Sequence, residues 1–172
     1  MTRRLLLLLG FFFLFFLSSI PTKAQRLMEV FGGYSYSGLD RLPQGIPGRN
    51  LNGVEISVQY KFTDWLGVVG EVDGHFGLPS EPAAKSLNIL AGPQFSLPRR
   101  ISPFGHVLVG YGHGYTNGIW DNSFSAAIGG GIDIRIAPLL SWRIIEGDDV
   151  ITHYFGGTEH NPRVSTGIIL RF

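Results

Sequence analysis

The chain has 172 residues, of which 44% are apolar and 16% charged, with no cysteine and a formal charge of +1. One domain is the natural count at this length, and the lack of cysteine excludes both a disulfide scaffold and a thiol-borne lipid anchor. Strong basicity is absent, so nothing in the charge favours a nucleic-acid partner.

The first segment, 1–24, reads MTRRLLLLLGFFFLFFLSSIPTKA. Two arginines, an apolar run and a small-residue end with Thr22 and Ala24 give the order of a cleavable signal peptide. The apolar run 5–17 is too short for the ~20 residues of a spanning helix. Cleavage after Ala24 would leave 25–172, a mature chain of 148 residues. Arg3, Arg4 and Lys23 leave with the signal, so eleven Lys/Arg then face thirteen Asp/Glu, a net charge of −2. Beyond Ala24 no apolar run is long enough for a membrane helix.

From there on the dominant pattern has period two. Val54, Ile56, Val58, Tyr60 and Phe62 alternate with Glu55, Ser57, Gln59 and Lys61. Leu66, Val68, Val72 and Phe76 oppose Glu71, Asp73 and His75, and Val164, Ile168, Leu170 and Phe172 oppose Arg163, Ser165 and Arg171. Strand side chains point to alternate faces, so each segment has an apolar and a polar face. The spacing predicts eight strands near 27–37, 51–62, 65–76, 86–97, 102–115, 122–135, 139–152 and 162–172. Connections 63–64, 98–101 and 136–138 are short, whereas 38–50, 77–85, 116–121 and 153–161 are longer. In an up-and-down meander this alternation sorts all long loops to one end.

Two architectures suit such a chain. A soluble up-and-down barrel or sandwich turns the apolar face inward, and a transmembrane barrel turns it outward to lipid. The polar faces carry Glu29, Glu55, Lys61, Glu71, Asp73, Asp133, Arg135, Glu146, Asp148, Arg163 and Arg171, which favours a polar interior. Aromatic residues gather near both strand ends: Tyr34, Tyr36, Phe76, Tyr111 and Phe124 at one, Tyr60, Phe62, Phe95 and Phe172 at the other. Such girdles mark the two interfaces of a bilayer. The expectation is an all-β, eight-stranded antiparallel up-and-down transmembrane barrel spanning 25–172, with Glu55, Glu71, Asp73 and Asp133 paired to some of Lys61, Arg135, Arg163 and Arg171.

The segments VFGGYSYSG, FTDWLGVVGEVDG and IGGGIDIRI, and Trp142 onward through RIIEGDD and THYFGGTEHNPRVSTGIILRF, resemble small bacterial outer-membrane β-barrel proteins of the OmpA/OmpX type. The terminal Phe172, with Ile168 and Leu170 before it, looks like the signal that the outer-membrane insertion machinery reads. The resemblance implies an exported, integral outer-membrane protein, monomeric, in contact with outer-membrane lipid, whose inward charges plug the lumen or gate a narrow conductance. The peptidoglycan-tethering role of OmpA lies beyond the barrel and is not carried over. Asp149 departs from the pattern, because a carboxylate on the outer face is costly away from an interface or a bulge.

Other constellations are weaker. His75 and His106 project inward, and His113, His153 and His160 fall in or beside loops, with no metal-ligand spacing among them. His113, Asp121, Ser123 and Ser125 are near in sequence, but no nucleophile motif joins them. The glycine runs 110–114 and 129–131 lack the following helix that a phosphate loop requires. No cofactor, metal or catalytic residue is therefore expected. The functional expectation is a structural or surface-interaction role through the long loops. A narrow passive pore is the alternative, and a soluble periplasmic barrel holding an apolar ligand is the third reading.

Overall fold

A computed structural model of the chain describes residues 27–42, 46–77, 84–116, 119–154 and 157–172. The expected signal segment 1–24 and the tips of the four longer connections lie outside the described residues. Eight strands follow one another: β1 (Met28–Leu42), β2 (Ile46–Lys61), β3 (Leu66–Phe76), β4 (Ala84–Ser96), β5 (Ile101–Thr116), β6 (Ile119–Ala137), β7 (Leu140–Tyr154) and β8 (Gly157–Arg171). Each pairs antiparallel with its chain neighbours, and β1 pairs with β8, so the sheet closes into a barrel. The closing register runs from Glu29 opposite Arg171 to Ser37 opposite Arg163. Phe172 N donates to Met28 O at 2.8 Å and extends the seam past the last strand residue.

Closure leaves no unpaired edge, and the alternation then assigns one face to each side of the wall. Among the described residues, thirty-two large apolar side chains stand exposed on the outside and only nine hydrophobic residues are buried, whereas twenty-six polar or charged residues are buried. A water-soluble barrel has the opposite arrangement. The outward set includes every girdle aromatic named from the sequence, with Trp65 and Trp142 added.

The wall departs from the sequence expectation in two places. Most of the longer connections read as loops continue as paired strand. Leu39 pairs with Arg49 and Leu42 with Ile46, and β8 begins at Gly157, opposite Tyr154. Hairpin pairing propagates through these Asn-, Gly- and Pro-containing stretches because the register is already set by the barrel. The second departure is a bulge in β7, where the pairing with β8 shifts between Arg143 and Glu146. Unbroken alternation back from Glu146 and Asp148 would turn Trp142 inward and Arg143 out. Instead Trp142 is 44% exposed and Arg143 only 4%, since the extra residue in the Ile144-Ile145 pair reverses the parity.

Candidate functional site

The polar faces of the eight strands converge in the lumen, and their contacts are best followed from the short-turn end. There Glu29 of β1 meets a cation from each neighbouring strand, Lys61 at the end of β2 and Arg171 at the end of β8. Lys61 Nζ lies 2.7 Å and Arg171 Nε 3.1 Å from Glu29 Oε1. Together they border an open vestibule of about 380 Å³ that also touches Asp64, Arg99 and Arg135. Arg135 thus differs from the expected interior partner of a carboxylate. It lies beside the turn, where the β6–β7 register shifts between Arg135 and Ala137, and its side chain is exposed at the mouth.

One step inward, the Arg143 guanidinium closes the vestibule. It lies 4.5 Å from the ring centre of Phe31 and 4.1 Å from that of Phe104, a cation between two aromatic faces. Its Nε donates to Asp133 at 2.9 Å and its Nη1 to Glu146 at 2.9 Å. A Cβ on Gly131 would stand 2.9 Å from Phe104 Cε1, so the missing side chain gives that ring its space. Arg143 is the residue that sequence reasoning missed. The signal was the doubled Ile144-Ile145, which breaks strict alternation just beyond it.

Deeper still, Arg163 of β8 forms the centre of the network at 1% exposure. It donates to Asp148 on β7 at 2.6 and 3.1 Å and to Asp73 on β3 at 2.8 Å. It also contacts Glu71, and Glu55 on β2 lies at 4.0 Å. His106 Nε2 is 2.8 Å from Asp148 Oδ1, and Asn88 Nδ2 donates to Asp73 at 2.9 Å. Gly129 makes room for this centre, since a Cβ there would fall 1.9 Å from Asp148 Oδ1. Of the expected pairings, those of Glu55, Glu71 and Asp73 all fall on Arg163, Asp133 goes to Arg143, and Lys61 and Arg171 share Glu29.

A chain of polar contacts leads away from Arg163. Ser165 Oγ donates to Glu55 at 2.6 Å and lies 2.9 Å from Ser35 Oγ. Ser35 in turn lies 2.9 Å from His75 Nε2, and His75 Nδ1 is 2.9 Å from Asp73. Serine, histidine and aspartate thus follow one another as in a hydrolase triad. Two features set it apart from such a triad: His75 Nδ1 makes no hydrogen bond to Asp73, and the cavity bordered by His75 and Asp73 is about 20 Å³, scarcely one water.

Beside this network the lumen is lined by apolar side chains. Val69, Leu90, Leu108, Ala127 and Val150 from β3 to β7 form one buried apolar cluster. The outer rim holds the remaining candidates apart. Ser123 Oγ accepts from His153 N at 2.7 Å and donates to Phe124 O, while His113 contacts Asn122 and Asp121 accepts from Asn122 N. Asp149 does face outward, and it is answered by His160 Nδ1 at 2.7 Å. Ile168, Leu170 and Phe172 are all exposed on the outer face of β8 and its end. Two buried groups of potential ligands meet in the lumen: His106 with Glu146 and Asp148, and Glu55 with Glu71 and Glu146.

No protein-family model matches the chain, and no curated protein does. Solved structures share its fold. Ail, the attachment invasion locus protein of Yersinia pestis, is 20% identical, with a TM-score of 0.62 over 84% of this chain and 97% of that one. The neisserial surface protein A (NspA) gives 0.62 at 13% identity, over 84% and 97% of the two chains. The outer membrane protein OprG from Pseudomonas aeruginosa gives 0.60 at 14% identity, over 84% and 95%. The chain therefore has the eight-stranded fold of small outer-membrane β-barrels.

Proposed function

We propose that this chain is an integral, non-enzymatic protein of a bacterial outer membrane. It would hold a closed, filled barrel in the envelope and present the hairpins of its longer-connection end for surface interaction. The observation that carries this reading is the inverted polarity of the wall, with apolar and aromatic side chains outside and paired charges inside. In water such an outer face would be one continuous apolar patch. In lipid it is solvated, and closure satisfies every backbone group that lipid cannot.

The same geometry favours a silent barrel over a pore. An eight-stranded barrel leaves an interior just wide enough for side chains, and Phe31, Arg143, Phe104 and the Arg163 cluster fill the section beyond the vestibule. An apolar-ligand carrier would need an enclosed apolar cavity, and the apolar space of about 220 Å³ beside Trp65, Phe95 and Pro103 is an open groove among outward-facing side chains. Export would use the signal at 1–24, and insertion would use the outward Ile168, Leu170 and Phe172, which lie on the closing seam. Closure leaves no strand edge open for pairing with a second chain, which supports a monomeric barrel.

Fractionation and electrical recording test this together. The expected result is recovery of the protein from outer-membrane fractions only with detergent, with an N-terminus at Gln25, and no stable channel in planar bilayers. Recovery in the soluble periplasm would sink the membrane reading. A stable ohmic conductance would replace the structural role by passive transport.

A further inference from the structure

The lumen is electrically unbalanced. Glu29, Glu55, Glu71, Asp73, Asp133, Glu146 and Asp148 are all buried there, and among the described residues the fixed cations that meet them are Arg143, Arg163 and Arg171, with Lys61 at the mouth. His75 and His106 add at most two positive charges. At least one negative charge is then left in a space shut off from water, where an uncompensated ion is very costly.

We propose that this excess holds a divalent cation of the calcium class, bound by Glu55, Glu71 and Glu146. Each of the three offers a ligand oxygen within 4.8 Å of the other two. Two oxygens held 2.3–2.6 Å from one calcium ion stand up to about 5 Å apart, so the three converge at a suitable separation. The donors are also prepared unequally. Glu55 Oε2 accepts from Ser165 at 2.6 Å and Glu146 Oε2 from Arg143 at 2.9 Å, while the Oε1 of each has no hydrogen-bond partner. One oxygen fixes the carboxylate and the other makes no hydrogen bond, with His106 Nδ1 standing 3.7 Å from Glu146 Oε1, as in a ligand positioned by its outer shell.

The neighbouring group of His106, Glu146 and Asp148 is a poorer site. Asp148 Oδ1 already accepts from His106, and Oδ2 accepts from Arg163. A set of carboxylate oxygens selects a hard cation over zinc. Arg163 touches Glu71, but it also serves Asp73 and Asp148 and so leaves the trio short of charge. A doubly charged ion brings this set of groups to neutrality when one of the two histidines is protonated.

The experiment uses the full chain refolded in detergent in the presence of EDTA, then dialysed against calcium, magnesium or zinc. We expect about one calcium ion retained per chain, and a melting temperature that falls when EDTA is added. Glu55→Gln and Glu146→Gln should each lose the bound ion and the response to EDTA. Asp149→Asn, which alters an acid on the outer face, should keep both. Absence of retained calcium in the wild-type chain overturns the proposal, as does undiminished binding in both Gln variants or a preference for zinc. Melting that answers to pH but not to calcium or EDTA assigns the excess charge to bound protons, and also overturns it. If neither Gln variant refolds, Glu55→Asp withdraws the oxygen by one methylene with its charge kept. Weakened calcium retention in that variant supports the site, and unchanged retention overturns it.

Discussion

Replacing Arg163 by methionine is the most demanding test of the lumen network. The substitution keeps most of the volume and removes one charge that serves Asp148, Asp73 and Glu71 in direct contact, with Glu55 at 4.0 Å. Three hydrogen bonds to Asp148 and Asp73 disappear. At about 1.5–3 kcal/mol for each bond to a charged group, their gross loss exceeds 4 kcal/mol. Relaxation and proton uptake by the stranded carboxylates recover part of this, leaving about 3–5 kcal/mol, the usual cost of breaking a buried pair from one side. For a chain of this size that corresponds to roughly 6–20 °C in melting temperature. The assay is thermal unfolding in detergent, read by circular dichroism and by heat-modified gel mobility. Adding Asp148→Asn to Arg163→Met should return part of the loss. Lys61→Met is the control: Glu29 keeps Arg171, and the pair is partly open to the vestibule, so about 1 kcal/mol or less is expected. An unchanged melting temperature for Arg163→Met would refute the reasoning that this guanidinium holds the lumen together.

Three further outcomes follow from the wall. Gly129→Val should cost about 1–3 kcal/mol by overpacking, because even its Cβ collides with Asp148 and with Gly147 O; Gly70→Ala, with nothing within 4 Å, should melt no lower than the wild type. Ile56→Arg places a charge on the outward face and should cost roughly 2–4 kcal/mol in lipid vesicles. Denaturant titration in vesicles reads this, and a cost near zero would count against lipid contact. Phe172→Ala should slow assembly in cells while leaving refolding into detergent unchanged; equal defects in both would assign Phe172 to barrel stability instead of the insertion signal.

Alternation carried most of the architecture, because in a closed sheet one parity defines one face over the whole length of a strand. The pairs Ile56 with Glu55 and Ile168 with Arg163 already divide outside from inside. What alternation does not encode is a change of parity. The β7 bulge hid Arg143, and the neighbouring Trp142 and Glu146 read as a single face although they lie on opposite ones. Strand ends were also poorly legible, since Gly, Pro and Asn stretches that favour turns in isolation are held in register by a hairpin already formed. Pairing choice was harder still. Glu71 and Asp148 converge on Arg163 from different strands, and only the curvature of the closed wall brings them to one guanidinium.

That convergence replaces an ordinary core on one side of the lumen. Arg163 on β8 reaches β2, β3 and β7, whereas β4, β5 and β6 meet through Leu90, Leu108 and Ala127. The apolar side packs without directional demands, whereas the ionic side depends on Arg143 and Arg163, each of which holds more than one carboxylate. Opening a conducting path would require the Arg163 guanidinium to leave several carboxylates at once, or the Arg143 side chain to leave both Phe31 and Phe104.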